Sequence, residues 1–420
     1  MPYVLGIEIG SGSTVVAASY LRHGTWSGPE VSLVVPSALR LTADGPMGGV
    51  AGTGPDVVYG FLDRVGDDVP LVVAGRPYGA AALTAELVAW VVGQIEDVEE
   101  APAEQVVLSV PGTWGEHRTG VLHAALDRAG LDRVRSLPAP IAAVEGYAAH
   151  EPVDPGDTVA VYALGGTRCA CSLVRRTSVA AFDLVAHAET GVPIGGGDFD
   201  DVLVEFVVGR LGSDPALRER CTAAREELSG ATVTTVRAPA SQDAVTISRA
   251  EFEELIEPLV DSTVDTLLRV IGSGPAPAAV LLVGGAARTP LVRRRVEAAV
   301  AGPVRMAHDP AHSVALGAAG AARTPEDRGD AVAAYRPPGA QDSGGMRADG
   351  EDVSDAYPQV SYPPPRPPVR ITALEAPRRR SARRAARDLA PGARVALVVL
   401  AVLVVVVGVW LTLAVGLGRT

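Results

Sequence analysis

One stretch near the end of the sequence admits few structures. From Val395 to Gly418 no residue is charged, and Val, Leu and Ala dominate. As a helix this stretch reaches about 35 Å, enough to cross a hydrocarbon core of about 30 Å with modest tilt. A Val-rich run would also suit a buried strand, but strands are much shorter and are normally broken by turn residues. In lipid a helix satisfies its own backbone groups, so β-branched residues are no obstacle. Val395 to Leu417 is therefore expected to form one membrane-spanning helix, with 394–418 as the outer limits of the segment.

The flanks orient it. Arg370, Arg378, Arg379, Arg380, Arg383, Arg384, Arg387 and Arg394 lie upstream against Glu375 and Asp388, whereas downstream there is only Arg419. The positive-inside bias places the bulk of the chain on the cytoplasmic face of the cell membrane. Met1-Pro2-Tyr3-Val4 carries no basic region or cleavage signal, so no secretory leader is expected, and an anchor closing the chain describes a tail-anchored protein. The arginines read as a stop-transfer flank that can also meet anionic headgroups.

Elsewhere the chain is acidic. The whole carries −12, and because Arg370–Arg394 is basic the remainder is more acidic still, which argues against nucleic-acid binding by the soluble part. No lysine occurs among the 420 residues. Cys169 and Cys171 are two apart on an expected strand and share a face, which is not the geometry of a CxxC redox turn. Together with Cys221 they read as small buried apolar residues. His308 and His312 have the i, i+4 spacing of helical metal ligands with Asp309 beside them, but Pro310 argues against that helix. Neither set points to a metal site.

Three zones follow from composition. Residues 1–325 alternate short Val/Leu/Ile strands with amphipathic helices and Gly/Pro turns, an α/β pattern long enough for two lobes. Residues 326–393 hold Pro337-Pro338, Pro363-Pro364-Pro365 and Pro367-Pro368 among Asp, Gly, Ser and Arg. With few large apolar residues this zone is expected to be a disordered linker. The third zone is the anchor.

Four glycine-rich turns punctuate the first zone. Tyr3–Ile9 and Thr14–Tyr20 read as a hairpin whose tip is Gly10-Ser11-Gly12-Ser13, able to bring backbone N–H groups and hydroxyls up to a phosphate. Val159–Leu164 runs into Gly165-Gly166-Thr167 and then the strand Cys169–Arg175. Gly195-Gly196-Gly197-Asp198-Phe199-Asp200 opens a helix. Val280–Val283 ends in Gly284-Gly285, with Arg288 and Thr289-Pro290 leading into another. Glycine is needed where a backbone closely approaches a ligand or adopts positive φ.

In this order these segments resemble the nucleotide-binding domain of the Hsp70 (DnaK-type) chaperones, members of the actin-like ATPase fold. Leu5-Gly6-Ile7-Glu8-Ile9-Gly10-Ser11-Gly12-Ser13-Thr14 resembles the first phosphate loop, and Val107-Leu108-Ser109-Val110-Pro111 the V-x-T-V-P strand. Tyr162-Ala163-Leu164-Gly165-Gly166 resembles the second phosphate loop. Ile194 to Asp200 is similar to L-G-G-x-D-F-D, and Ile247 to Phe252 to the start of a lobe-II helix. Val283 to Pro290 resembles the adenosine loop, and Ala315 to Ala319 the closing helix. The resemblance implies a two-lobed α/β domain over 1–325 with ATP or ADP in the cleft. The nucleotide would be held by Gly10, Ser11, Gly12, Ser13, Gly165, Gly166, Thr167, Gly195, Gly196, Gly284, Gly285 and Arg288. The family's substrate-binding domain finds no counterpart after residue 325.

The departures bear on chemistry. The family's first-loop Asp is Glu8, the one catalytic carboxylate kept. Its catalytic Lys, in K-R-x-x-G, falls at Leu62 when Leu62-Asp63-Arg64-Val65-Gly66 is anchored on the Gly and at Asp63 when anchored on the Arg. The Glu of E-P-x-A-A is Ala139. In the second loop, D-L-G-G-G-T-F-D in the family, the two Asp are Ala163 and Ala170, and the last Gly and Thr are Thr167 and Arg168. Phosphoryl transfer needs groups that orient water, support hydrated Mg²⁺ and stabilise charge, and losing such groups costs orders of magnitude in rate. The leading expectation is thus a membrane-tethered module that binds ATP or ADP with little or no hydrolysis, Mg²⁺ support being left open, and that works with protein partners at the cytoplasmic face. One alternative is an active, chaperone-like ATPase using Glu8 and Arg168. The other is a nucleotide-free structural subunit of a secretion or envelope complex. Similar tethered proteins accompany secretion systems in high-GC Gram-positive (actinobacterial) cells, whose genomes suit this lysine-free composition, an analogy only.

Overall fold

The computed structural model describes residues 1–323, apart from 43–44, 53, 179–180, 212–215, 238–242 and the side chain of Leu211. They belong to the first of two compact units, Met1–Ser343 and Gly344–Thr420. The linker expected over 326–393 and the membrane helix expected over 394–418 lie outside the described residues. Among the described residues no helix is long and apolar enough to cross a membrane.

Two sheets repeat one plan. In lobe I the strands run Val134–Pro138, Gln105–Val110, Tyr3–Ile9, Ser13–Arg22, Thr25–Trp26, with Glu30–Pro36 also pairing with Ser13–Arg22. In lobe II the order is Ala181–Glu189, Cys169–Ser178, Thr158–Leu164, Ala279–Val283, Val304–Met306. Each sheet has an antiparallel hairpin at its centre, and the hairpin's first strand is continued outward by two parallel strands. Parallel strands covered on both faces need near-continuous apolar runs, and Ala279–Val283 is buried at every position.

Among the described residues eight α-helices complete the domain: α1 Ala80–Glu99, α2 Glu116–Arg128, α3 Ala139–Ala148, α4 Gly196–Leu211, α5 Leu217–Leu228, α6 Arg249–Ile271, α7 Pro290–Ala299 and α8 Ser313–Ala322. α6 starts where the family resemblance places a helix, and local chemistry explains the start. The Ser248 hydroxyl accepts from the Glu251 amide at 3.2 Å, and the Glu251 carboxylate accepts from the Ser248 amide at 2.9 Å, a capping box.

Lobe I packs around Leu5, Ile7, Phe61, Leu87, Leu108 and Leu122, and lobe II around Tyr162, Phe199, Phe252, Leu267 and Leu282. Cys169, Cys171 and Cys221 are free and buried in the lobe II core, as their reading as small apolar residues anticipates. Between the sheets a third cluster joins Val4 and Val107 of lobe I, Ile141 and Val144 of α3, Val159 and Leu281 of lobe II, and Val314 and Ala318 of α8. Small residues let these layers meet backbone to backbone. A Cβ on Gly317 would stand 1.8 Å from the Ala142 carbonyl oxygen, and one on Gly6 2.1 Å from the Ala319 nitrogen. α8 is thereby pressed onto the first hairpin strand and against α3, which fixes how the two phosphate-loop hairpins face each other.

Candidate functional site

The tips of the two hairpins close in the same way. The Gly10 N–H donates to the Ser13 carbonyl at 3.0 Å, and the Gly165 N–H donates to the Arg168 carbonyl at 2.9 Å. Ser11, Gly12 and Ser13 are exposed at the first tip, and Gly166 and Thr167 at the second. A Cβ on Gly166 would lie 2.8 Å from the Ser11 hydroxyl. The first tip therefore reaches directly over the second, which brings Gly10, Ser11, Gly12 and Ser13 together with Gly165, Gly166 and Thr167 where the family resemblance implies a cleft.

The other two turns support the second tip. Gly196 and Gly197 donate their N–H groups to the Gly165 and Gly166 carbonyls at 2.9 and 2.7 Å. A Cβ on Gly195 would stand 2.6 Å from the Gly166 and Thr167 backbone. The Asp198 carboxylate accepts from the Gly195 N–H at 2.7 Å and closes the first turn of α4. Behind it, Arg225 of α5 donates to Asp200 at 2.6 Å with both side chains buried, and Thr222 donates to the other Asp200 oxygen at 2.9 Å. Gly284 has φ +92, a Cβ there would be 2.2 Å from the Leu164 carbonyl oxygen, and its N–H donates to Pro310 at 2.6 Å. Only glycine tolerates that conformation at that distance. Gly285–Arg288 is a single 3₁₀ turn leading into α7.

The charged groups were harder to place from sequence. Arg288 does not extend freely toward the cleft but pairs with Asp309 at 2.6 Å, whose other oxygen meets His312 Nδ1 at 2.6 Å. Burial pushes the Asp309 carboxyl up, but the His312 and Arg288 contacts outweigh it and hold the group below its ordinary value. His308 and His312 share no helix, because the chain turns at Pro310 and His312 immediately precedes α8. Among the described residues no group of three His, Cys, Asp or Glu side chains could hold a metal ion.

Glu8 sits one residue pair behind the first tip, opposite Val15. Its Oε2 is buried without a hydrogen-bond partner. Burial raises its pKa to about 7, against the lowering effect of the Ala315 N–H. At the equivalent pair behind the second tip, Ala163 faces Ala170. Ala139 opens α3 and supplies no carboxylate. Leu62 and Asp63 lie on the 3₁₀ turn Leu62–Arg64. There Asp63 meets Arg168 Nη2 at 2.9 Å, while Arg168 Nη1 donates to Glu189 at 3.3 Å. The His187 ring, whose Nε2 is 4.0 Å from Glu189, holds the Glu189 carboxyl below its ordinary range against burial, with Arg168 adding to the effect.

Comparison with known proteins accords with this architecture. The family model described as Hsp70 protein matches residues 57–326. The chain is 32% identical over 362 residues to the chaperone protein HscA homolog of Bordetella petrii, covering 75% of this chain and 57% of that protein. It is 32% identical over 277 residues to the HscA homolog of Burkholderia pseudomallei strain 668, covering 62% of this chain and 44% of that protein. The chain thus spans about half the length of these curated relatives. With two duplicated sheets, paired glycine tips and a family match over more than half its length, the chain belongs to the Hsp70 family and carries that family's actin-like, nucleotide-binding type of domain.

Proposed function

We propose that this protein is a nucleotide-binding Hsp70-type module with little or no ATP hydrolysis, tethered through 394–418 and regulating or scaffolding protein partners at the cytoplasmic membrane face. The observation that carries the reading is the contrast at the two tips: both turn closures and most of the glycines are kept, with Thr167 in place of the family's last Gly, while the lobe II carboxylate positions are Ala163 and Ala170. The cradle fits ATP or ADP, since a Cβ on Gly195 or Gly284 would clash with the backbone of the second tip, so glycine at both lets that backbone pack closely while Gly166 and Thr167 stay exposed facing Ser11. Mg²⁺ fits less well, because lobe II offers no oxygen at Ala163 or Ala170 and hard cations need several oxygen ligands or tightly held waters.

Calorimetric titration of the full chain with ATP and ADP, with and without Mg²⁺, together with phosphate release, tests this. Binding with negligible turnover and weak Mg²⁺ dependence is expected; turnover at a rate normal for the family overturns it. Membrane fractionation with protease accessibility tests the tether and its orientation. One observation favours a second reading, a working ATPase. A carboxyl titrating at about 7, as Glu8 does, suits a general base at neutral pH, and on that reading Glu8→Gln abolishes turnover. The relatives are named chaperones, so a chaperone-like role belongs to this second reading. Absence of any nucleotide binding would leave the structural-subunit reading.

A further inference from the structure

Arg168 is the charged side chain of the second tip, and its surroundings in the fold are specific. Its backbone is fixed by the Gly165–Arg168 closure at 2.9 Å. Its guanidinium is aimed by Glu189, on the neighbouring strand of its own lobe, at 3.3 Å. The second acceptor comes from the other lobe. Asp63 stands on a turn whose two ends, Phe61 and Val65, are buried in the lobe I core. Arg64 ties the same turn to Asp67 at 2.7 Å and to the Val69 carbonyl at 3.0 Å. Asp63 is thus presented on a rigid mount, and it meets Arg168 across the cleft at 2.9 Å.

We propose that the Asp63–Arg168 ion pair is an autoinhibitory latch: it joins the lobes across the phosphate end of the cleft, and the terminal phosphate of a nucleotide must displace Asp63 to reach Arg168. This rests on the reading of the cleft as a nucleotide site. A planar guanidinium serves carboxylate and phosphate through the same donors, so the two anions compete for it. With no lysine in the chain, that guanidinium is not backed by an ammonium group. Asp63 and Glu189 together outweigh the single charge of Arg168, so the latched guanidinium offers no net positive charge to an anion. Releasing Asp63 frees the Nη2 edge of the guanidinium for another anion, with Glu189 still on Nη1.

The pair is 43% and 41% exposed, which limits its strength and sets the expected effect at about fivefold in affinity. The test uses the full chain in detergent. Nitroxide labels at Val72→Cys and Val233→Cys, exposed positions on lobe I and lobe II, report the inter-lobe distance; the native cysteines are buried. Asp63→Asn is expected to broaden the nucleotide-free distance distribution and to tighten ATP and ADP about fivefold. The exchange Asp63→Arg with Arg168→Asp is expected to return the nucleotide-free distribution to that of the wild type while weakening ATP. An unchanged nucleotide-free distribution in Asp63→Asn overturns the latch. Unchanged affinity in a variant that does bind overturns the competition. If no variant binds ATP or ADP, the nucleotide reading of the cleft falls, and displacement with it, while the distance distribution still decides whether the pair holds the lobes.

Discussion

At the first hairpin the Gly10 amide closes on Ser13, and at the second the Gly165 amide closes on Arg168, through the same four-residue turn. Behind each tip come two cross-strand pairs, Ile9 with Thr14 and Glu8 with Val15 in lobe I, Leu164 with Cys169 and Ala163 with Ala170 in lobe II. The pairing registers correspond, but the side chains carry different chemistry. Lobe I keeps a carboxylate, buried and raised to about 7. Lobe II has two methyl groups at the matching pair and, at its tip, an arginine held by carboxylates. The difference separates two requirements that working phosphoryl-transfer sites satisfy together. A cradle needs backbone that side chains do not obstruct, whereas catalysis needs charge placed where charge develops. On the proposed reading the first survives where the second is lost.

The largest way to break the symmetry is to remove what supports the second tip from behind. Asp200→Ala leaves Arg225 buried without its carboxylate and is expected to cost about 3–5 kcal/mol. The first tip rests on a neutral contact instead, Thr14 with Ser37 at 2.8 Å, so Ser37→Ala should cost about 1 kcal/mol. Urea midpoints of the two variants, compared at constant m-value, check the contrast.

The carboxylate of lobe I gives the next largest effect. Glu8 has a folded pKa of about 7 against 4.5 for an unperturbed group. The folded state therefore holds the proton where the unfolded chain releases it. The associated stability is fully present below about 4.5 and is lost as pH rises through about 7, a swing on the order of 3 kcal/mol. Glu8→Gln removes the titration, so wild type and variant should diverge between pH 5 and pH 8.5 in urea unfolding, with the variant the less sensitive to alkali. A parallel pH dependence in the two would show that Glu8 is not the source.

Making lobe II resemble lobe I sharpens the comparison from the other side. Ala163→Asp places a carboxylate at the position equivalent to Glu8, where it can hold a hydrated cation beside the second tip. ATP affinity in Mg²⁺ relative to its affinity in a chelator should rise about tenfold, the scale of one charge-assisted hydrogen bond. The wild-type ratio should stay near unity.

What sequence showed and what it hid divide along chemical lines. The four glycine turns were legible because glycine is the residue that lets a backbone lie where a Cβ would clash with other backbone, as at Gly195 and Gly284. The lost carboxylates at Ala163 and Ala170 were legible because a missing oxygen needs no geometry to be noticed. The turn between His308 and His312 was legible from Pro310. The direction of Arg168 was not, since a long side chain is oriented by whatever acceptors the fold brings near, and Asp63 and Glu189 are distant from it in sequence. Arg288 illustrates the same point, its partner Asp309 arriving from beyond α7. The buried Asp200–Arg225 pair was hidden likewise, because both residue types are ordinarily exposed and only α4 packing on α5 makes them partners.

The smallest test asks which tip contributes side chains and which contributes backbone. The first tip presents Ser11, whose hydroxyl lies against Gly166, and the second presents Thr167 next to the Gly195 turn. If the hydroxyls of the first tip hydrogen-bond a phosphate, Ser11→Ala should weaken ATP binding by about fivefold, the net value of one such bond. Thr167→Val keeps the shape and the backbone N–H and should change affinity by less than about twofold, because the second tip is expected to recognise phosphate through its amides. Reversal of that order in calorimetric titrations would make the second tip the side-chain contributor. Equal losses would mean that the two loops share the ligand evenly, although Gly165 and Gly166 already give their carbonyls to α4 while the Gly12 carbonyl of the first tip accepts from the Ser37 N–H at 3.1 Å.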